Sequence, residues 1–448
     1  VTPSRRGLTL GLLVCVTAVA FEGMAVVTAM PAAAADLGDQ ELYAWAFSAV
    51  MIPQLFAIAA AGRVADRTGP VRPLLVGLGL FAVGVVVAAL APTMLILLVG
   101  RFIQGLGGGA VNLCLMVVTA RAFDPAERAR IMTWYSACWM MPSFVGPGIA
   151  AWVTEHLSWH WVFWLILPFV GLGLAFMASG LRQLPPRTDA DAPGDPVPLH
   201  AAAAVAIGLA LLQAAGQRLE WLSLVWLVVG LALLVLNWRR LMPRGYSPAA
   251  PGLSAVVMVR LLTSGTFFGV QSFLPLMLTT RGTPLLRAGL VITLASVGWM
   301  LGSWLQARPW LRLSRDQIIV AGAVSVASGA ALVAVAAWVP ASDLLLTTVG
   351  FATCGLGMGL QSASTNLATM QLSSEAELGR NTGSLQVGET AGNALFVGIA
   401  GTVFAALNPI AATQVTFGTQ MTLLAAVALL AIAASKRIGF VENHSLTV

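Results

Sequence analysis

Long apolar runs separated by short polar turns define this chain. Runs of spanning length fall at residues 8–30, 43–62, 74–91, 94–119, 130–154, 159–181, 200–217, 221–238, 253–279, 286–306, 317–338, 344–370, 382–407 and 417–435. A helix needs about 20 mostly apolar residues to cross a bilayer, so the pattern predicts about fourteen transmembrane helices and an all-α polytopic membrane protein. Arginine placement tests that count. With the N-terminus inside, nineteen of the 24 Lys and Arg residues fall on cytoplasmic segments, three (Arg218, Arg281, Arg287) fall outside, and Arg101 and Arg260 lie within spans. Removing one helix would scramble this asymmetry, so an even number of spans with both termini cytoplasmic is expected.

Most connections are short. One exception, 182–199, carries Pro185, Pro186, Asp189, Asp191, Pro193, Gly194 and Pro196 and reads as a polar cytoplasmic linker. A second, basic linker covers 239–252. Between them lie two helices joined by Arg218-Leu219-Glu220. The expected organisation is a six-helix bundle over 1–181, the linker 182–199, an inserted helix pair over 200–238, the linker 239–252, and a second six-helix bundle over 253–448. Trp152, Trp159, Trp161 and Trp164 cluster at one end of the fifth and sixth helices, as an interfacial aromatic belt would.

Composition sharpens the class. Hydrophobic residues make up 58% and charged residues 9%, against roughly a quarter charged in soluble domains. The net charge of +6 sits in loops and is no sign of nucleic-acid binding. Cys15, Cys114, Cys138 and Cys354 all fall inside apolar runs, where they read as small buried hydrophobes rather than a disulfide framework. Arg far outnumbers Lys, with Lys436 alone, a hint of a GC-rich bacterial genome. Ser4-Arg5-Arg6-Gly7-Leu8, with small residues at Ala32–Ala35, has the look of a twin-arginine signal. The run behind it is long enough to span and contains Glu22, so two cytoplasmic arginines before a first helix are the preferred reading.

Glu22 is the most informative single residue. A carboxylate that deep in an apolar run costs several kcal/mol unless paired, hydrated or protonated, and intramembrane acids mark substrate and ion pathways. By 1.5 Å of rise per residue, Glu22 lies about 20 Å from the inner end of its helix, and Arg101 lies roughly 10–12 Å below the outer end of the fourth. Comparable depth in a core about 30 Å thick makes a proton-labile pair workable; a permanent structural pair is the alternative. Arg260 and Glu389 lie about 10 and 12 Å inside their helices from the cytoplasmic end, where they either meet or face separate aqueous regions. Thr28, Gln104, Gln271, Gln361 and Asn366 are the polar residues expected toward a substrate cavity, with helix–helix hydrogen bonding as the competing explanation.

Four motifs carry a family resemblance. Gly62-Arg63-Val64-Ala65-Asp66-Arg67-Thr68-Gly69, followed by Arg72, resembles the loop motif G-x-L-a-D-r-x-G-r-k of the major facilitator superfamily, with Pro70-Val71 in place of the basic pair. Arg101-Phe102-Ile103-Gln104-Gly105-Leu106-Gly107 resembles the superfamily's fourth-helix motif. Gly146-Pro147-Gly148 resembles its fifth-helix antiporter motif, with Ala150-Ala151 for the final glycines and Pro142 for the leading one. Trp159-His160-Trp161-Val162-Phe163, ending at Pro168, is similar to W-R-W-I-F-x-x-N-x-P of the fourteen-helix drug:proton antiporters. The first helix adds Glu22 to Pro31, similar to that branch's L-D-x-T-x-V-N-V-A-L-P, with Met24 and Val27 replacing Thr and Asn. Gly302, Gln306 and Arg308 faintly echo the loop motif in the second half.

The resemblance implies two bundles that rock about a midplane cavity, with the first and fourth helices lining its N-terminal half. It implies a gating loop at Gly62, Asp66, Arg67, Gly69 and Arg72, and proton coupling through Glu22 and Arg101, with Arg260 and Glu389 as a second pair. The expected activity is proton-coupled efflux of small amphiphilic or drug-like molecules from the bacterial inner membrane, by a monomer without cofactor. Export of an endogenous metabolite or lipid is the rival on the same fold. No nucleophile–base pair favours a membrane-embedded enzyme. Glu155-His156 with His160 lacks the order of a zinc motif, and Gly105–Gly109 follows no strand and carries no Lys-Ser/Thr, so neither metal nor phosphate-loop chemistry is expected.

Overall fold

In the computed structural model, residues 3–184, 198–217, 221–308, 310–339, 344–374 and 377–442 are described. They form fifteen α-helices and one 3₁₀ turn, with no strand among them. The first seven are α1 (Pro3–Leu37), α2 (Trp45–Thr68), α3 (Val71–Ala89), α4 (Met94–Ala122), α5 (Pro125–His156), α6 (His160–Trp164) and α7 (Ile166–Leu181). The remainder are α8 (Leu199–Gln217), α9 (Trp221–Leu241), α10 (Leu253–Thr280), α11 (Leu285–Leu305), α12 (Arg315–Trp338), α13 (Leu344–Gln371), α14 (Leu378–Leu407) and α15 (Thr413–Ser435). Helices α6 and α7 run end to end as one crossing, which makes fourteen long helical segments. Thirteen are long and apolar enough to span. The other, α5, has the length but carries Pro142, Pro147 and charged residues near both ends.

Boundaries follow local chemistry. Thr93 caps α4 by accepting from the Ile96 N–H at 3.4 Å, and Asp124 caps α5 by accepting from Glu127 N–H at 2.9 Å, with Pro125 in the first turn where no N–H is needed. Gly69, with φ of +83°, makes the turn between α2 and α3. At the far end of α12, the Arg281 guanidinium donates to the carbonyls of Ala336 (3.1 Å), Ala337 and Val339 (3.3 Å), a cationic cap on a helix C-terminus. Burial holds that guanidinium below its ordinary pKa. The sequence pattern ends the first span at Met30, but α1 continues through Pro31 to Leu37. Proline is tolerated inside membrane helices because neighbouring helices and local adjustment re-satisfy the freed backbone groups. Residues 185–197 of the expected polar linker and the Arg218-Leu219-Glu220 connection lie outside the described residues.

The chain divides into two compact units, Val1–Asp39 with Ala49–Leu199, and Gln40–Ser48 with His200–Val448. In the first, α1 packs on α5 and α7, and α3 on α4. In the second, α10 packs on α14 and α15, and α12 on α13. Glycines set how closely these helices approach: a Cβ at Gly84 would lie 2.4 Å from the Gln104 nitrogen, and one at Gly265 would lie 2.6 Å from the Gly392 carbonyl. Small residues at such seams are how membrane helices gain close van der Waals contact. The helix pair α8–α9 belongs to the second unit, joined at Gly208 and Gly230. Helix α9 is its most peripheral element, with 11% of its apolar window buried against 83% for α10.

Candidate functional site

Two buried ion pairs stand out, one in each unit. In the first unit, Glu22 of α1 and Arg101 of α4 meet as a salt bridge with both side chains withdrawn from solvent. The same Arg101 nitrogen that contacts Glu22 donates to Gln104 Oε1 at 2.7 Å, one turn further along α4. Helical spacing produces this: residues three apart share a face. Gln104 is itself buried, and its Nε2 has no hydrogen-bond partner. An arginine nitrogen thus has two acceptors, one ionisable and one permanently neutral.

Helix α5 supports the Glu22 turn. A Cβ on Gly146 would lie 3.6 Å from Met24 Cβ and 3.7 Å from the Phe21 ring, so this glycine abuts α1 at Phe21 and Met24, on either side of Glu22. Gly148 faces open space, with nothing within 4 Å, and Pro147 lies within the helix. Thr28, two turns on from Glu22 along α1, is buried, and its hydroxyl donates to the Met24 carbonyl at 3.3 Å.

In the second unit Arg260 of α10 and Glu389 of α14 meet. The Arg260 Nε and Nη2 donate to the same Glu389 oxygen at 3.1 and 2.8 Å, and Nη1 donates to Thr365 Oγ1 of α13 at 3.2 Å. Sequence left open whether this pair forms. Asn393, one turn beyond Glu389, places its amide 2.8 Å from Ser264 Oγ and 3.2 Å from the Ser264 carbonyl, tying α14 to α10 beside the pair. Neither Thr365 nor Asn393 was singled out by sequence; the signal available was their spacing, Asn393 four residues after Glu389 and Thr365 four after Gln361. Gln271 and Gln361 are buried, whereas Asn366 is exposed. Among the described residues neither amide atom of Gln361 has a hydrogen-bond partner, a costly state for a buried amide.

The loop residues occupy the last turns of α2 and the turn that follows. Asp66 is exposed in the last turn of α2 and has no hydrogen-bond or ion-pair partner among the described residues. A carboxylate there sits at the negative end of the helix dipole, which is unfavourable. Arg67 and Arg72 are exposed on either side of the Gly69 turn, and a Cβ added at Gly62 would lie 3.3 Å from the Leu113 side chain of α4.

Comparison with known proteins places these features. The Major Facilitator Superfamily profile matches residues 12–397. The chain is 26% identical over 407 residues to "Multidrug transporter protein MdtP" of Bacillus subtilis (strain 168), covering 88% of this chain and 74% of that one. It is 25% identical over 398 residues to "Probable multidrug-efflux transporter Rv1634" of Mycobacterium tuberculosis (strain ATCC 25618 / H37Rv), covering 84% and 83%. Among solved structures, "Crystal structure of auto inhibited POT family peptide transporter" superposes with a TM-score of 0.70 at 19% identity, over 98% of each chain, a likeness of fold.

Proposed function

The chain belongs to the major facilitator superfamily and is a multi-pass membrane transporter, and on that premise we propose that it is a proton-coupled efflux antiporter of small amphiphilic, drug-like molecules working by alternating access. The observation that carries the proposal is the Arg101 nitrogen shared between Glu22 and Gln104. When Glu22 is ionised, Arg101 is held by two acceptors. When a proton reaches Glu22, its claim on Arg101 weakens and Gln104 keeps the guanidinium satisfied. Protonation then leaves the Arg101 charge without its counter-ion but still hydrogen-bonded to Gln104, which lowers the cost of a buried unpaired cation. The pair passes from net neutral to a net charge of +1, which repels a cationic substrate and favours its release.

The rest of the reading rests on separate supports. The repeated packing of α1, α3, α4 and α5 and of α10, α12, α13 and α14 supports two six-helix bundles, with α8–α9 inserted between them in the chain. The unpartnered Asp66, in a place unfavourable to its own helix, supports a gating role met in another state of the cycle. Arginine asymmetry supports cytoplasmic termini in a bacterial plasma membrane. The similarity to a multidrug transporter and to a probable multidrug-efflux transporter supports drug-like cargo.

Binding of a panel of lipophilic cations and neutral amphiphiles to the purified protein, titrated from mildly acid to mildly alkaline pH, tests the reading. Cation affinity should fall as pH falls, because protonated Glu22 no longer supplies a counter-charge. Affinity for every cation independent of pH would refute cationic drug export and shift the assignment to a metabolite or lipid.

A further inference from the structure

At the end of α9 that carries Arg239 and Arg240, two adjoining cavities take no part in the ion pairs described above. The first, about 330 Å³, is an apolar crevice lined by Leu209 of α8, by Leu234, Val235 and Trp238 of α9, and by Met258 and Leu261 of α10. That volume falls within the range of small-molecule sites. Val235 is 60% exposed, so the crevice opens on the apolar outer face of α9. The second cavity, about 480 Å³, is lined by Arg239, Arg244 and Arg380 together with Pro243 and Ser247. Arg239 and Tyr246 line both.

The polar groups here are engaged to different degrees among the described residues. Arg239 has no hydrogen bond or ion pair among the described residues, whereas its neighbour Arg240 donates to His200 at 3.0 Å. Arg244 lies 3.4 Å from Glu377 in an exposed pair, and Arg380 donates to the Met242 carbonyl at 3.2 Å. Tyr246 is 4% exposed, yet its hydroxyl has no hydrogen-bond partner of acceptable geometry; the Trp238 ring stands edge-on to it at 6.5 Å between centroids. A buried hydroxyl without a partner is costly, and here it lies at the junction between an apolar crevice and a cluster of three arginines.

We infer that the two cavities form one binding site for an anionic phospholipid, its acyl chain in the crevice and its phosphate among Arg239, Arg244 and Arg380. Guanidinium groups suit phosphate oxygens, and basic pockets between membrane helices are a known way to hold anionic head groups. Charge complementarity decides the occupant. Among the described residues the cavity presents three arginines and one glutamate, which disfavours a lipophilic cation, and a free phosphate would leave the crevice without a role. Bound there, the lipid fastens the peripheral helix α9 to α10 and α14 of the same unit. The inference is independent of the coupling reading, since it uses none of the residues to which proton coupling is assigned.

Native mass spectrometry of the full chain released from nanodiscs provides the test, with phosphatidylglycerol and phosphatidylcholine of matched chains as probes and glycerol phosphate as competitor. One phosphatidylglycerol should be retained in preference to phosphatidylcholine. Arg239→Gln should weaken its retention about fivefold and Arg239→Gln with Arg244→Gln about 25-fold, taking each basic residue's contribution near an anionic head group. Leu234→Trp, which fills the crevice and leaves the arginines in place, should lower retention of both lipids. Equal retention of the two lipids, or no change in Arg239→Gln, would overturn head-group recognition. Full displacement by glycerol phosphate, or unaltered retention in Leu234→Trp, would reduce the site to a surface anion patch and overturn the lipid assignment. A thermal shift on lipid addition that is lost in the same variants would support the proposal by a route free of the gas phase.

Discussion

Replacing Glu22 by Gln keeps the size of the side chain and an acceptor oxygen but removes the charge and the titratable proton. The buried Arg101 then loses a charge-assisted contact and keeps its 2.7 Å bond to Gln104. Deleting one member of a buried pair outright costs about 3–5 kcal/mol; with an amide oxygen still available, the loss is closer to that of one hydrogen bond to a charged group, about 1.5–3 kcal/mol. For a cooperative unit of this size that corresponds to a fall in melting temperature of about 3–12 °C. Arg101→Gln alone should cost at least as much, because it leaves a carboxylate buried at 6% exposure without its cation. The double variant, Glu22→Gln with Arg101→Gln, replaces an ion pair by two neutral amides and should recover most of the lost stability, since neutralising both partners of a buried pair is often nearly neutral.

Transport separates the two roles of the pair. In proteoliposomes with an imposed pH gradient, all three variants should lose uphill efflux, the stable double variant included, while downhill substrate exchange persists in Glu22→Gln. A purely structural pair gives another outcome: the double variant regains both stability and gradient-driven flux. That recovery would refute coupling through Glu22 and move it to Glu389.

Gln104→Leu removes the neutral acceptor that holds Arg101 when Glu22 takes up a proton; protonation becomes harder, so the pH optimum of transport should move to more acid values while thermal stability changes by less than about 1 kcal/mol, because a buried, partnerless amide nitrogen is removed as well. Asp66→Asn relieves an unfavourable charge–dipole contact at the end of α2, so the protein should be unchanged or about 0.3–1 kcal/mol more stable and yet transport more slowly; normal flux would remove the gating role. Gly105→Ala would bring a Cβ within 2.3 Å of the Val50 carbonyl, whereas Gly148→Ala would meet nothing within 4 Å. The first should therefore reduce folded yield and cost about 1–3 kcal/mol, and the second should leave both yield and flux unaltered.

The spans were legible because crossing a bilayer demands a run of fixed length, a demand that hydropathy reports directly. Thus α8 and α10 begin within a residue of where the pattern placed them. Pro31 misled because a proline that ends a helix in water is accommodated in a membrane bundle. Glu22 and Arg101 were legible as a pair because their depths match and the family resemblance brings the first and fourth helices together. The meeting of Arg260 with Glu389 was left open, because depth gives height in the bilayer and not rotation about the helix axis. In a soluble helix the polar face supplies that rotation; here lipid-facing and partner-facing residues are equally apolar, and the register is set by small residues such as Gly265 and Gly392. The same loss of facing information hid Thr365, Asn393 and the junction at Tyr246.

The two ion pairs are chemically unlike, and the difference points to a division of labour. Arg260 directs two nitrogens at one Glu389 oxygen and a third at Thr365, so it is gripped from α13 and α14 at once. Protonating Glu389 would weaken two charge-assisted bonds together and leave only a hydroxyl to hold the cation. Arg101 presents one nitrogen to Glu22 and offers the same nitrogen to Gln104, so loss of the carboxylate charge leaves an acceptor already in place. Exposure runs the other way: the Glu389 side chain retains 21% of its surface and Glu22 8%. The pair more open to solvent is thus the more firmly clasped, and the pair that can let go cheaply is the more deeply enclosed. Such an arrangement suits a second-unit pair that fastens α10, α13 and α14 together while the first-unit pair changes charge. It also requires that a path for the proton open and close at Glu22 as the cycle turns, since a carboxylate so enclosed cannot exchange its proton in the conformation seen.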